Sequence, residues 1–414
     1  MHVVAMSASS SSSSTPSSPK PTSTHAHTHA HTHARVAYIY SKDYAALCSH
    51  LPSNLNRSKA VHTLIDAYGL LRLRDLTVIA PRRATVKELC RYHSRDYVEF
   101  LRQVEEKERV DGPTDSHTLE EYGLVHDCSI FEGIGDYAEF VAGSTLQAAT
   151  FLNENEFDIV IHWDGGRHHA GKDMAAGFCI VNDIVLGIME LQKTFDRVLY
   201  LDLDVHHGDG VEKAFQFTDK VLTVSLHHFA EGFYPGTGSG KDVSARSKAV
   251  VNVPLRSGLC RKTLSNLFDD LIEPLVASFN PKAVVLQCGV DGMAGDPLGK
   301  WNLSIASYGD CLQKVMAWKK PLIILGGGGY NSAAAARSYA YLTSQVLGRD
   351  ISDEIPEHDQ FEDYAPDFLL KVEDAGRQPD ENTESYLSQV RDLVARQSDG
   401  IASSKSSSSS SLKK

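Results

Sequence analysis

The chain has 414 residues, with 41 Lys and Arg against 53 Asp and Glu, a net charge of −12. Apolar residues make up 42% and charged residues 23%, an ordinary globular composition with enough apolar material for a large core. The acidic balance argues against direct nucleic-acid binding, which selects a basic footprint, and is compatible with a lysine-rich partner.

In chain order, residues 1–34 read as a disordered tail. Serine fills most of 7–18, and His25, His27, His29, His31 and His33 alternate with Ala or Thr. Such a tract has little to bury against its ordering entropy, although the histidines could bind transition metals adventitiously. From 35 to 396 short apolar, β-branched runs recur at 36–40, 158–162, 198–204, 221–226, 283–288 and 322–325. Between them helical periodicity occupies 60–71, 96–108, 136–153, 182–193, 264–279, 305–318 and 334–347. Apolar strands alternating with helices predict a single α/β domain, a parallel β-sheet sandwiched by helices. Residues 397–414, with a second serine tract, read as another disordered tail. The seven cysteines form no CxxC pair, which disfavours a disulfide scaffold or thiolate zinc finger and makes a reducing compartment the default. No apolar run reaches the ~18–20 residues of a membrane span, and 1–6 is too short for a signal-peptide core. A soluble intracellular protein is expected.

Ligands of open parallel sheets bind beyond the carboxyl ends of the strands. Four such ends here carry His, Asp or Tyr beside glycine: Trp163-Asp164-Gly165-Gly166-Arg167-His168-His169, Asp202 to Gly210, Gly289-Val290-Asp291, and Gly326 to Tyr330. In an extended strand Asp202, Asp204 and His206 share one face. Two aspartates on a buried face repel, and a cation removes that cost. Asp204, His206 and Asp291 supply two oxygens and one imidazole, a three-ligand set suited to catalytic Zn²⁺ and open to Fe²⁺ or Co²⁺. Asp202 and Asp209 remain to orient His168 and His169, giving two Asp–His pairs for acid–base work on a metal-activated water. The glycine turn lacks the Lys-Ser/Thr of a phosphate loop. It aims Tyr330, whose hydroxyl can donate to an oxyanion.

Together these segments resemble the zinc-dependent class I histone deacetylases, on an arginase/deacetylase-like fold. The matching stretches are GGRHHA at 165–170, GFCIVND at 177–183, YLDLDVHHGDGVE at 200–212, FYPGTG at 233–238, VLQCGVDGMAGDP at 285–297 and LGGGGYN at 325–331. Residues 57–62, 125–128 and the short end after 354–358 look closest to one class I member. The resemblance implies a protein lysine deacetylase, which hydrolyses N6-acetyl-lysine to lysine and acetate. It implies Asp204, His206 and Asp291 as Zn²⁺ ligands, His169 with Asp209 as general base then acid, and His168 with Asp202 as electrostatic support. Tyr330 and the metal would hold the oxyanion. Gly177, Phe178 and Tyr234 would form the acyl-lysine channel, with Leu298 at its rim, Asp127 receiving the substrate backbone, and Arg57 at the inner end where acetate leaves. Structural K⁺ is implied around Asp202, Asp204, His206, Ser225 and Leu226, and around Phe215, Thr218 and Val221. Acetylated histone tails or other proteins, chromatin-associated partners and the nucleus, with the cytoplasm as a second location, follow as expectations.

The chain departs from the family pattern at Arg167 (usually Trp), Tyr234 (Phe), Ile180 (Tyr), Met174 (acidic) and His126 (Tyr). Arg167 and Tyr234 are expected to border the channel. Two other readings compete: an acetylpolyamine amidohydrolase-like enzyme with the same chemistry, and a catalytically weak acyl-lysine-binding scaffold. An arginase-type site would need a second set of metal ligands at the strand ends.

Overall fold

The computed structural model describes residues 34–241, 243, 247, 249–371 and 378–408. The tail expected at 1–34 lies, apart from Ala34, outside them, as does the serine tract beyond 408. Eight strands form one sheet: β1 (Val36–Ile39), β2 (Leu76–Ile79), β3 (Ile159–His162), β4 (Val198–Asp202), β5 (Val221–His228), β6 (Val250–Leu255), β7 (Ala283–Gln287) and β8 (Leu322–Leu325). Their order is β2-β1-β3-β8-β7-β4-β5-β6, and every pairing is parallel. The expected α/β architecture, a parallel sheet between helices, is borne out.

Side-chain alternation divides the apolar strands between two helical layers. Leu199 and Leu201 join the core that contains Leu64 of helix Arg57–Ala67 and Tyr339 of helix Ser332–Val346. Val198 and Tyr200 face the other way, into a core with Ala148 of helix Ile134–Asn153 and Ile188 of helix Asp183–Leu191. With both faces covered, the carboxyl ends are where polar side chains can gather.

Four differences from the sequence reading have physical causes. β2 and β6 were not expected: β2 is only four residues long, and Asn252 and Pro254 interrupt the apolar run of β6. Both are edge strands, where a missing N–H is tolerated. The helix expected over 264–279 is Arg261–Leu267, a π-helical turn Phe268–Ile272, and Glu273–Phe279. Pro274, which lacks an N–H, follows that turn. β4 ends at Asp202, so Asp204 and His206 lie beyond the strand. Finally, the boundary at Arg396 falls inside a helix, Glu384–Ser408. Leu387, Val390, Val394 and Ile401 pack it into the main core, and Gln397 Oε1 accepts the Asn252 N–H at 3.0 Å.

Candidate functional site

The chain leaves β4 through a series of side-chain-capped turns. Asp202 Oδ1 accepts the Asp204 N–H at 3.1 Å, and Asp204 Oδ1 accepts the His206 N–H at 3.0 Å. Asp291, beyond β7, takes the Val205 N–H between them at 2.9 Å. Asp204 Oδ2 is steadied by Gln287 Nε2 (3.0 Å) and the Gly328 N–H (2.8 Å). These bonds aim Asp204, His206 and Asp291 at one buried point, with their ligand atoms within 4.8 Å of one another. It is the one such group of three among the described residues. His206 Nδ1 lies 3.1 Å from Asp204 Oδ1 and 3.0 Å from Asp291 Oδ2. Burial and the neighbouring Asp204 charge raise the Asp291 carboxyl above its ordinary range. Two carboxylates forced together out of water are unfavourable alone, and a divalent cation among them relieves the repulsion. The donor set therefore fits a divalent metal.

Behind this group stand the two histidines. His168 Nδ1 meets Asp202 Oδ2 at 2.8 Å, and Tyr200 donates its hydroxyl to the same oxygen at 2.5 Å. His169 Nδ1 meets Asp209 Oδ1 at 2.8 Å, while Lys213 Nζ donates to Asp209 Oδ2 at 2.5 Å. Burial lowers the His168 pKa, but the carboxylates of Asp202 and Asp204 outweigh it and lift the ring to about 9. Burial and then the charge on His168 push His169 down to about 4. A neutral acceptor thus stands beside a cation. The turn that presents the pair is held by Asp183, which accepts the Gly166 N–H (3.0 Å), the Arg167 N–H (2.8 Å) and the Thr145 hydroxyl (2.6 Å).

A cavity of about 350 Å³ opens onto these residues. His169, His206 and Tyr330 lie deep in it, Phe178, Phe233 and Tyr234 form walls, and Asp127, Leu298 and Lys300 reach its exposed rim. Phe233 stacks on His206 at 5.1 Å, and the Phe178 ring stands edge-on to Tyr330 at 5.6 Å. Gly177 and Phe178 both hold left-handed backbone, φ 54° and 63°. A Cβ on Gly177 would meet His169 Cδ2 at 2.3 Å. Asp127 Oδ2 accepts the Gly177 N–H at 2.8 Å. The Tyr330 N–H donates to Asp296 Oδ2 at 2.7 Å, and burial raises its phenol pKa, so the hydroxyl keeps its proton at neutral pH.

Most of the expected site residues therefore meet at one place. Asp127, His169, Gly177, Phe178, His206, Tyr234, Leu298 and Tyr330 line the cavity, with His168, Asp202, Asp204, Asp209 and Asp291 packed behind. Arg57 is not among the lining residues; it braces the glycine turn by donating from Nη1 to Gly327 O (2.9 Å) and Gly329 O (3.0 Å). The expectation that Arg167 borders the channel is corrected. Its side chain is buried and its guanidinium turns to the Asp164 carbonyl (2.9 and 3.2 Å). Sequence reasoning missed Tyr200, Asp183, Gln287, Lys213, Phe233 and Lys300. Gln287, a polar residue closing an apolar strand, was the most readable of them.

The histone deacetylase domain profile matches residues 51–346 of the chain. The chain belongs to the histone deacetylase family. Histone deacetylase 8 of Xenopus tropicalis is 45% identical over 356 residues, 85% of this chain and 95% of that protein. Histone deacetylase 8 of Danio rerio is 44% identical over 357 residues, 86% of this chain and 93% of that protein. The Xenopus laevis protein of the same name is 45% identical over 315 residues, 76% and 95%. The resemblance read from the motifs is thereby borne out. All seven cysteines of this histone deacetylase are free thiols. No helix among its described residues is long and apolar enough to cross a membrane.

Proposed function

We propose that this histone deacetylase hydrolyses N6-acetyl-lysine in proteins to lysine and acetate. The reading is carried by one coincidence. The three-ligand group, a neutral His169 and the protonated Tyr330 hydroxyl converge on a single cavity.

Asp204, His206 and Asp291 would hold the metal, read as Zn²⁺, with Fe²⁺ or Co²⁺ admitted by the same donors. Bound there, it would supply Lewis acidity to the acetyl carbonyl and acidify water. His169 takes the proton of the attacking water, with Asp209 stabilising the imidazolium, then returns it to the departing lysine amine. His168, held by Asp202, keeps its positive charge beside the reacting centre. Tyr330 donates its hydroxyl to the developing oxyanion. Phe178 and Tyr234 flank the lysine stem beside Gly177, Leu298 shapes the entrance and Asp127 accepts a substrate backbone N–H. Arg57 lies toward the inner end, where acetate departs. Structural K⁺ would sit near Asp202, Asp204, His206, Ser225 and Leu226, a reading supported by the direct pairing of Asp202 with Ser225 in the sheet. A second would sit near Phe215, Thr218 and Val221. Residues 35–396, with the rest of the C-terminal helix, act as the catalytic domain. Chromatin-associated partners, transcription regulation and a nuclear location, with the cytoplasm second, complete the reading; relatives named histone deacetylase 8 support it.

Metal analysis of the purified chain, combined with kcat/KM on acetyl-lysine peptides and acetylspermidine, tests this. One tightly held divalent ion per chain and a preference for peptides are expected. Asp291→Ala should lose ion and hydrolysis together. A strong preference for the polyamine, or no hydrolysis by zinc-loaded protein, overturns the reading.

A further inference from the structure

The rim of the cavity carries a charge that the chemistry above does not use. Lys300 lines the cavity with Pro297, Leu298, Tyr234 and Asp127 and is exposed, whereas His206 below is only 7% exposed. Among the lining residues Lys300 is the one ammonium or guanidinium and Asp127 the one carboxylate. The two differ in freedom. Asp127 already accepts the Gly177 N–H, while the Lys300 ammonium makes no ion pair among the described residues.

The base of Lys300 is fixed even though its tip is in water. Its carbonyl accepts the Gly258 N–H at 2.7 Å, and the adjoining Trp301 is buried, donating its indole N–H to Arg256 O at 3.1 Å. Asp296 Oδ1 accepts the Leu298 and Gly299 N–H groups at 2.9 and 3.2 Å, and its Oδ2 holds the Tyr330 amide. The loop that carries Lys300 is therefore tied to the same carboxylate as the tyrosine of the site. A substrate whose acyl-lysine fills the cavity must bring its flanking residues to this rim. The chain's net −12 acts on approach, but beyond ~8 Å salt screens it. For a docked peptide the two rim charges decide, and with Asp127 held against the Gly177 amide, Lys300 is the one left to meet a flanking side chain.

We propose that Lys300 selects protein substrates with an Asp or Glu side chain one or two residues from the acetyl-lysine, and so disfavours sites embedded in Lys- and Arg-rich tails. This rests on the deacetylase reading above and narrows its substrate class.

The test uses the full-length, metal-loaded chain and three acetyl-lysine peptides identical except for Asp, Ala or Lys at the flanking positions. The expected order of kcat/KM is Asp, then Ala, then Lys, each step about two- to fivefold, as for an exposed ion pair. The spread should shrink at ~1 M salt. Lys300→Glu should reverse the order, and Lys300→Met should flatten it, with unchanged melting temperature. An unchanged order in Lys300→Glu, or equal rates for all three peptides with wild type, overturns the inference while leaving the deacetylase reading standing. Failure of the wild type to hydrolyse even the Ala peptide overturns the deacetylase reading first.

Discussion

His168 and His169 are sequence neighbours with ring centroids 3.9 Å apart, yet their Nδ1 atoms end on different carboxylates, Asp202 and Asp209, each at 2.8 Å. The division gives the rings opposite tasks. His168, with Tyr200 also on its carboxylate, is anchored as a cation. Burial, and then that cation, keep its neighbour neutral.

Asp209→Asn keeps the shape of the second pair but removes the charge that favours imidazolium. kcat on an acetyl-lysine peptide should fall about 10–100-fold, with metal content and melting temperature unchanged. Equal kcat in the variant would remove Asp209 from the proton-transfer path.

Tyr330→Phe deletes one hydroxyl and leaves the ring against Phe178. Loss of one oxyanion donor should lower kcat by ~10²–10³ with little change in KM. A rise in KM alone, with kcat intact, would place the hydroxyl in ground-state binding instead.

Gly177→Ala should be far more damaging than its size suggests. The new methyl would sit 2.3 Å from His169 Cδ2, at a residue whose φ is 54°. Displacing the base by about 1 Å should cost ~10²-fold in kcat. A crystal structure of the variant would show the imidazole rotated off Asp209.

Acid should weaken the fold in a defined window. His93 Nε2 accepts the Asn182 N–H at 3.0 Å, so the folded ring is neutral there. Burial pushes both His93 and His162 down to about 4, from 6.5 in an unfolded chain. Between those values the unfolded state binds more protons. The stabilisation is therefore complete above pH 6.5 and lost as pH falls toward 4, at most about 3 kcal/mol per ring. Urea midpoints measured from pH 7 to pH 4 should decline through this window; a flat profile contradicts the assignment.

The site was more legible than the frame around it. Asp204, His206 and Asp291 stood out because charged residues beside apolar runs demand a partner. The reason given for grouping them was only half right: the extended face stops at Asp202, and turns capped by the aspartates deliver the other two. Gln287 and Asp183 were harder to find, because only the strand order brings β7 and the start of helix Asp183–Leu191 to the same place. Lys213 shows a local version of that limit. Asp209 was already paired with His169 in the sequence reading, but the i, i+4 spacing of Lys213 from it is that of an ordinary surface pair on a helix and does not single Lys213 out. The helix at 384–408 is absent from the sequence reading, which set only a domain boundary at Arg396, because serine composition masked the apolar spacing that reaches Ile401.

Phe178 adopts a backbone geometry that aromatic residues seldom tolerate. Such strain persists only where the surroundings hold it, so this wall of the cavity is costly to remodel. The opposite bank of the cavity mouth is less confined, with Tyr234 and Leu298 41% and 38% exposed. Redesign of the entrance for bulkier residues flanking the acyl-lysine should begin there, leaving the strained side untouched.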